Sequence, residues 1–279
     1  MRFVIQGPHV LPEQLAHIAM LCGDHNFRQI NAQAFYLTVE DKVEIAAAYC
    51  AEQQLDCAFV PDEQTLNRFG LVVLDMDSTL ISIECIDEIA DMQGLKPQVA
   101  AITESAMRGE IEFAESLRRR VALLQGLEEA ALQRVYDERL RLNPGAQTLI
   151  DTLRLRGIKT LLVSGGFNFF TERVKTRIGL DYAAANTLEI RDGKLTGKVL
   201  GDILDAQGKA DQLSKVRDAL GLGEDQVIAI GDGANDLKMM AVAGVGIAYH
   251  AKPVVRAQAT YALNHVGLDG VLCLFTANS

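Results

Sequence analysis

Apolar positions in the first sixty residues switch between a spacing near two and a spacing near 3.6, and each switch predicts a change of element. RFVIQ (2–6) reads as a strand, LPEQLAHIAML (11–21) as a helix and FRQINAQAFYLTV (27–39) as a strand or hairpin. VEIAAAYCAEQQ (43–54) reads as a second helix and CAFVP (57–61) as a closing strand. If the central stretch splits, the order is β-α-β-β-α-β, an α+β unit over 1–66, with polar EQTLNR (63–68) as a short linker. From Gly70 the pattern changes to short apolar runs: LVVLD (71–75), IKTLLVSGG (158–166), VIAIGDG (227–233) and VGIAY (245–249). Each ends in a polar or glycine-rich turn and is followed by helical periodicity. This predicts a doubly wound α/β fold with a parallel sheet. Ligands of such sheets bind outside the carboxyl ends of the strands, which singles out Asp75, Ser164 and Asp232. Between the first two runs, from about Glu84 to Arg156, the periodicity is helical throughout. That is far longer than a crossover needs. A helical lid is therefore expected over 82–142, inserted into a core made of 67–81 and 143–279.

Composition narrows the function. With 279 residues, 49% of them hydrophobic, the chain can bury a large core, so disordered and fibrous classes are excluded. The formal net charge of −10 argues against a nucleic-acid partner. Half of that excess lies in residues 1–70, which carry four basic and nine acidic side chains. An anionic substrate would need a local metal, lysine or row of backbone N–H groups. No apolar run reaches ~18 residues and the N-terminus has no signal pattern, so no membrane association is expected and cytoplasm is the expected compartment. The five cysteines show neither C-x-x-C nor zinc spacing.

Asp75-Met76-Asp77-Ser78-Thr79 places two carboxylates where a strand ends. Paired carboxylates can hold a hard cation, divide the work of nucleophile and general acid/base, or simply form a solvated turn. An EF-hand does not fit, since its glycine position is Leu80 and its glutamate position Ile86. Ser164-Gly165-Gly166 offers a hydroxyl and exposed amides to phosphate oxygens, or is an ordinary glycine turn. Gly231-Asp232-Gly233-Ala234-Asn235-Asp236 adds two carboxylates and an amide at the same sheet edge, and Lys209 adds a point charge. Gly208-Lys209 lacks the other P-loop positions, and Gly231-x-Gly233 lacks the third dinucleotide glycine. Cys22 and Arg28 stand at the spacing of a cysteine phosphatase, without its glycines or its hydroxyl. The five histidines form no metal-ligand spacing.

DMDST (75–79), VSGG (163–166), Lys209 and GDGAND (231–236), in this order, resemble the four motifs of the haloacid dehalogenase superfamily. ECIDEIA (84–90), SLRRRVALLQGL (116–127), NPGA (143–146) and DGKLTG (192–197) look like its phosphoserine phosphatase family. The resemblance covers roughly 70–275 and implies a Rossmann-like core with an inserted helical cap. It implies Asp75 as nucleophile and Asp77 as acid/base. Mg²⁺ would be held by the carboxylates of Asp75 and Asp232 and the backbone carbonyl of Asp77, with Asp236 in support. Ser164, Gly165, Lys209 and Asn235 would cradle the phosphate. In the cap, Glu84 would pair the ammonium of phosphoserine, Arg120 its carboxylate, and Met107 and Phe113 would form an apolar wall. The small-molecule partner is thus a phosphomonoester. Phosphoryl transfer to an alcohol, and a decayed phosphatase acting as an amino-acid sensor, are the alternatives; the intact set Asp75, Asp77, Lys209, Asp232 argues against decay. The N-terminal unit is similar to an ACT-type module, which would imply amino-acid binding or the contacts of a homodimer, and equally to a ferredoxin-like packing unit. Since every residue assigned to chemistry follows Gly70, removal of 1–66 is expected to leave a soluble catalyst.

Overall fold

The computed structural model describes residues 1–275. Its first unit runs β1 (Arg2–Gln6), α1 (Pro12–Cys22), β2 (Arg28–Asn31), β3 (Ala34–Thr38), α2 (Glu44–Glu52) and β4 (Asp56–Val60). The strands form an antiparallel sheet in the order β2-β3-β1-β4, so the central stretch does split into a hairpin. Alternation along β1 explains how the sheet sits. Phe3 and Ile5 pack with Ile18, Leu37, Ala46 and Cys50 under the unit's own helices. Val4, pointing the other way, joins Ala34, Ala58 and Val60 in the main core. EQTLNR is more than a linker: a 3-10 turn at Leu66–Arg68 buries Leu66, and Phe69 meets Phe275 edge-on at 5.2 Å.

The second unit begins with β5 (Leu71–Leu74), followed by four helices, α3 (Cys85–Met92), α4 (Lys96–Met107), α5 (Phe113–Ala122) and α6 (Glu129–Glu138). Then come α7 (Ala146–Leu155), β6 (Lys159–Phe167), α8 (Asn168–Ile178), β7 (Tyr182–Arg191), β8 (Lys194–Leu200) and α9 (Ala206–Ala219). The chain closes with β9 (Val227–Gly231), α10 (Leu237–Ala241), β10 (Val245–Tyr249), α11 (Pro253–Arg256) and β11 (Tyr261–Leu263). The sheet order is β11-β10-β9-β5-β6-β7-β8. All pairings are parallel except β7 with β8, so the sheet is mixed at that edge. β5 lies at its centre with both faces covered: Leu71 and Val73 enter one apolar cluster, Val72 and Leu74 the other. A strand buried on both sides loses polar alternation, and LVVL shows none.

Candidate active site

The loops after β5, β6 and β9 converge at one end of the sheet. Asp75 still belongs to the ladder, its N–H donating to Ile230 O at 3.0 Å. The chain then coils tightly, with the N–H groups of Leu80 and Ile81 both donating to Met76 O and Ser78 in the left-handed region at φ 60°. Asn143, from the NPGA stretch, pins this coil by donating its side-chain amide to Thr79 O at 2.7 Å. The coil aims Asp77 at two donors: Cys85 N–H at the start of α3 (2.8 Å) and the Ser164 hydroxyl at the end of β6 (3.0 Å).

Lys209 comes from the first turn of α9, whose N-cap Asp205 accepts from Gly208 N–H at 2.9 Å. Its ammonium is wholly buried and bonds both Asp75 Oδ1 and Asp236 Oδ1, the latter at 2.7 Å. Asp236 uses its other oxygen to accept from Asp232 N–H (3.2 Å) and Gly233 N–H (3.0 Å), which shapes the GDGAND loop. Asp232 in turn accepts from the Thr79 hydroxyl at 3.1 Å. No hydrogen bond among the described residues engages Asp75 Oδ2.

Burial dominates the electrostatics. It pushes the Asp75 carboxyl well above its usual range; Asp236 adds to the rise and Lys209 opposes it. Burial alone would lower the Lys209 pKa, but Asp236 and Asp75 overcome it and keep the ammonium charged. Asp77 is raised chiefly by burial, against the pull of Cys85 and Ser164. Asp232 is raised by burial and by Asp236. One buried ammonium therefore faces more carboxylates than it can neutralise. Carboxylate oxygens of Asp75, Asp232 and Asp236 lie within 4.8 Å of one another, an all-oxygen set that suits a hard divalent cation. Asp236 already spends both oxygens on Lys209 and backbone amides, which fits support better than ligation. The side chain of Asp77 is outside this cluster.

These residues open into a cavity of about 730 Å³, roofed by α3 to α5. Glu84 lines it, accepting from the Ser78 hydroxyl at 2.7 Å, with its carboxyl pushed up to about 7 by burial and by Asp77. Arg120 lines it too, its pKa lowered by burial and partly restored by Asp87, Glu84 and Asp77. Arg118 and Arg119 point to solvent, and Arg119 pairs with Glu115 at 2.7 Å. Phe113 sits over Gly165, whose missing Cβ would lie 3.0 Å from the ring. Met107, exposed at the end of α4, and Asn235 line the rim. The residues matched to the superfamily motifs and the cap thus surround one space, with Ser164, Lys209 and Asp236 at its base, Ser164 bonded to Asp77 and Lys209 to Asp75 and Asp236. Cys22 and Arg28 are elsewhere: burial raises the Cys22 thiol, the opposite of what a nucleophilic cysteine needs, and Arg28 is exposed. Sequence reasoning missed the supporting contacts of the Thr79 hydroxyl, the Cys85 N–H and the Asn143 amide, because a single hydrogen bond to one side chain or one carbonyl leaves no spacing signal.

The sequence profile of haloacid dehalogenase-like hydrolases matches residues 72–241, the segment that carries this loop arrangement. The chain belongs to the haloacid dehalogenase-like hydrolases. Hydrolases of this family generally use a divalent metal, and the aspartate cluster is placed for one. A phosphoserine phosphatase from Polaromonas sp. (strain JS666) is 55% identical over 212 residues, 74% of this chain and 90% of that protein. Among solved structures, a probable phosphoserine phosphatase from Vibrio cholerae in unliganded form is similar with TM-score 0.87 and 40% identity, over 98% of this chain and 85% of that one. That likeness takes in the N-terminal sheet as well as the hydrolase core. A phospho-aspartyl intermediate analogue of a phosphoserine phosphatase matches with TM-score 0.70 and 38% identity, over 75% of this chain and 99% of the other.

Proposed function

We infer that this hydrolase converts O-phosphoserine to serine and inorganic phosphate, the last step of serine synthesis, through a phosphoryl group carried on Asp75. The observation that carries the reading is one cavity holding a buried Asp75–Lys209–Asp236 cluster at its base and Glu84 with Arg120 in its roof. The base suits a phosphate and the roof an amino acid; relatives that carry the name phosphoserine phosphatase support the pairing.

In the proposed first step an Asp75 oxygen attacks phosphorus, the bond from phosphorus to the serine oxygen breaks, and Asp77 gives its proton to that oxygen. The raised pKa of Asp77 suits this role, and burial is its main cause. In the second step Asp77 takes a proton from water, the water oxygen attacks phosphorus and Asp75 is released. Ser164, Gly165, Asn235 and Lys209 hold the phosphate oxygens. Glu84 holds the ammonium and Arg120 the carboxylate, with a two-pronged geometry that fits. Phe113 and Met107 close the apolar side. Mg²⁺ is the proposed ion, on Asp75, Asp232 and the Asp77 carbonyl with Asp236 in support, and when bound it offsets the charge of the phosphate dianion beside these carboxylates. Residues 82–142 act as the cap, 67–81 with 143–279 as the catalytic core, of which 276–279 lie outside the described residues, and 1–66 as a separate covering unit. Five free thiols fit a reducing compartment such as the cytoplasm. Homodimeric assembly is proposed for the N-terminal unit and is read by sedimentation.

The test is release of inorganic phosphate from a panel of phosphomonoesters with and without Mg²⁺. Phosphoserine is expected to lead the panel and to require the ion. A flat profile would remove the phosphoserine assignment.

A further inference from the structure

Asn186 is 2% exposed, near the middle of β7, and takes no part in the chemistry described above. Its neighbour β6 leaves the regular ladder at this level: Ser164 pairs with Ala185, Phe167 pairs with Asn186, and Gly165 and Gly166 are skipped between them. Two consecutive glycines outside a ladder have no side chain to fix the peptide between them, so that peptide is free to rotate unless something holds it. Here both its ends are held. The carbonyl of Gly165 accepts from the Asn186 side-chain amide at 2.8 Å, and the N–H of Gly166 donates to Ser164 Oγ at 2.8 Å. With its oxygen occupied as an acceptor, the Ser164 hydroxyl directs its own hydrogen to Asp77 at 3.0 Å. The other end of Asn186 reaches the second half of the phosphate site: its Oδ1 accepts from Leu204 N–H at 2.7 Å, immediately before Asp205, the N-cap of the helix that carries Lys209.

We propose that Asn186 is a positioning residue for phosphate binding, clamping the Gly165–Gly166 peptide and the start of the Lys209 helix in one register. It acts through Ser164 and Lys209 without touching the substrate. The proposal rests on the phosphatase reading, and its consequences differ from those of the cap residues. Glu84 and Arg120 read the amino-acid end, whereas Asn186 sets the end common to every phosphomonoester. Its loss therefore impairs all substrates alike.

Asn186→Ala and Asn186→Asp separate this from a packing role. The aspartate is nearly isosteric and still accepts from Leu204, but once ionised it cannot donate to Gly165, so rates are followed from about pH 7 to pH 9. Steady-state rates are measured on phosphoserine and on a phenyl phosphate that lacks amino and carboxylate groups, with inorganic phosphate as competitive inhibitor and thermal midpoints alongside. Expected are a loss of about 10- to 100-fold in kcat/KM, equal for both substrates, and a comparable weakening of phosphate inhibition in both variants. Should the alanine variant fail to fold, the aspartate variant carries the comparison. A lowered thermal midpoint with unchanged phosphate inhibition would reduce Asn186 to packing, and a loss confined to phosphoserine would place its effect at the amino-acid end; either overturns the proposal. Absence of activity in the wild-type protein would instead strike the phosphatase reading.

Discussion

Two carboxylates of similar depth, Asp56 on β4 and Asp75 at the end of β5, show what burial can be used for. Asp56, 2% exposed on β4, accepts from the backbone N–H groups of Asn264 (2.7 Å), His265 (2.8 Å) and Val266 (3.1 Å). Asp75, 4% exposed, shares one ammonium with Asp236 and has Asp77 and Asp232 close by. The first is saturated by neutral dipoles that ask nothing of a ligand. The second leaves negative charge over and, among the described residues, an oxygen with no hydrogen bond, so it is open to a ligand. The saturated carboxylate suits a structural role, and the under-compensated one suits the nucleophile proposed for it.

The sharpest test of the contrast is Asp75→Asn. The change is nearly isosteric and relieves crowded charge, so the thermal midpoint should hold or rise, while phosphate release should fall by about 10⁴-fold or more because an amide cannot attack phosphorus. Activity near that of the wild type would break the assignment of Asp75.

Asp56→Ala should do the reverse. It leaves three N–H groups without their acceptor, a cost on the order of 3 kcal/mol, or roughly 5–10 °C in thermal midpoint, with kcat per folded molecule unchanged. The loop it holds joins the N-terminal sheet to the core, alongside Gln6, whose side-chain amide donates to Gly270 O at 3.2 Å. Because Val4, Ala58 and Val60 also share the core cluster with Tyr261, Leu263 and Val266, removing 1–66 would uncover an apolar face. A chain without 1–66 is thus expected to keep its catalytic side chains and lose stability, the outcome of a unit that packs on the core. Unchanged midpoints in Asp56→Ala would show that the sheet is held by apolar contact alone.

What was legible in the sequence follows from the same physics. β5, β6, β9 and β10 stand out because strands covered on both faces are written as unbroken apolar runs, and the carboxylates at their ends inherit a place in the fold from that. The β7–β8 hairpin did not, since YAAANTLEIR and KLTGKVL are half-exposed and mixed in polarity. Its turn carried a signal left unread where DGKLTG was taken only as part of a family resemblance: Asp192 and Gly193 both take positive φ, 50° and 72°, the conformation for which an Asp-Gly pair at a two-residue hairpin turn is suited. The contacts of Asn186 and Asn143 could not be found by pattern, because one amide bonding a backbone distant in the chain has no period. The N-terminal β-α-β-β-α-β order was readable, but not that its second face would be buried, since Ala34, Ala58 and Val60 look like ordinary members of short strands.

The smallest effect belongs to Glu84, which lies between the two extremes: it has one donor, the Ser78 hydroxyl, and awaits a second from the ligand. Its pKa stands near 7, raised first by burial and then by Asp77, so the ligand-free carboxyl is mostly neutral at pH 6 and mostly ionised at pH 8. In the role proposed for Glu84, only the ionised form would pair with the ammonium of phosphoserine. The sign is therefore fixed: KM for phosphoserine should rise as pH falls through 7, by about tenfold between pH 8 and pH 6. A phenyl phosphate without an amino group corrects for the titration of the phosphate itself and should lack this component. Glu84→Gln, which cannot ionise, should have a high KM for phosphoserine at both values and no slope beyond that of the phenyl phosphate. If the wild-type slope persists in Glu84→Gln, the titrating group is another one, and Glu84 belongs with Asp56 among the carboxylates that only hold the chain in place.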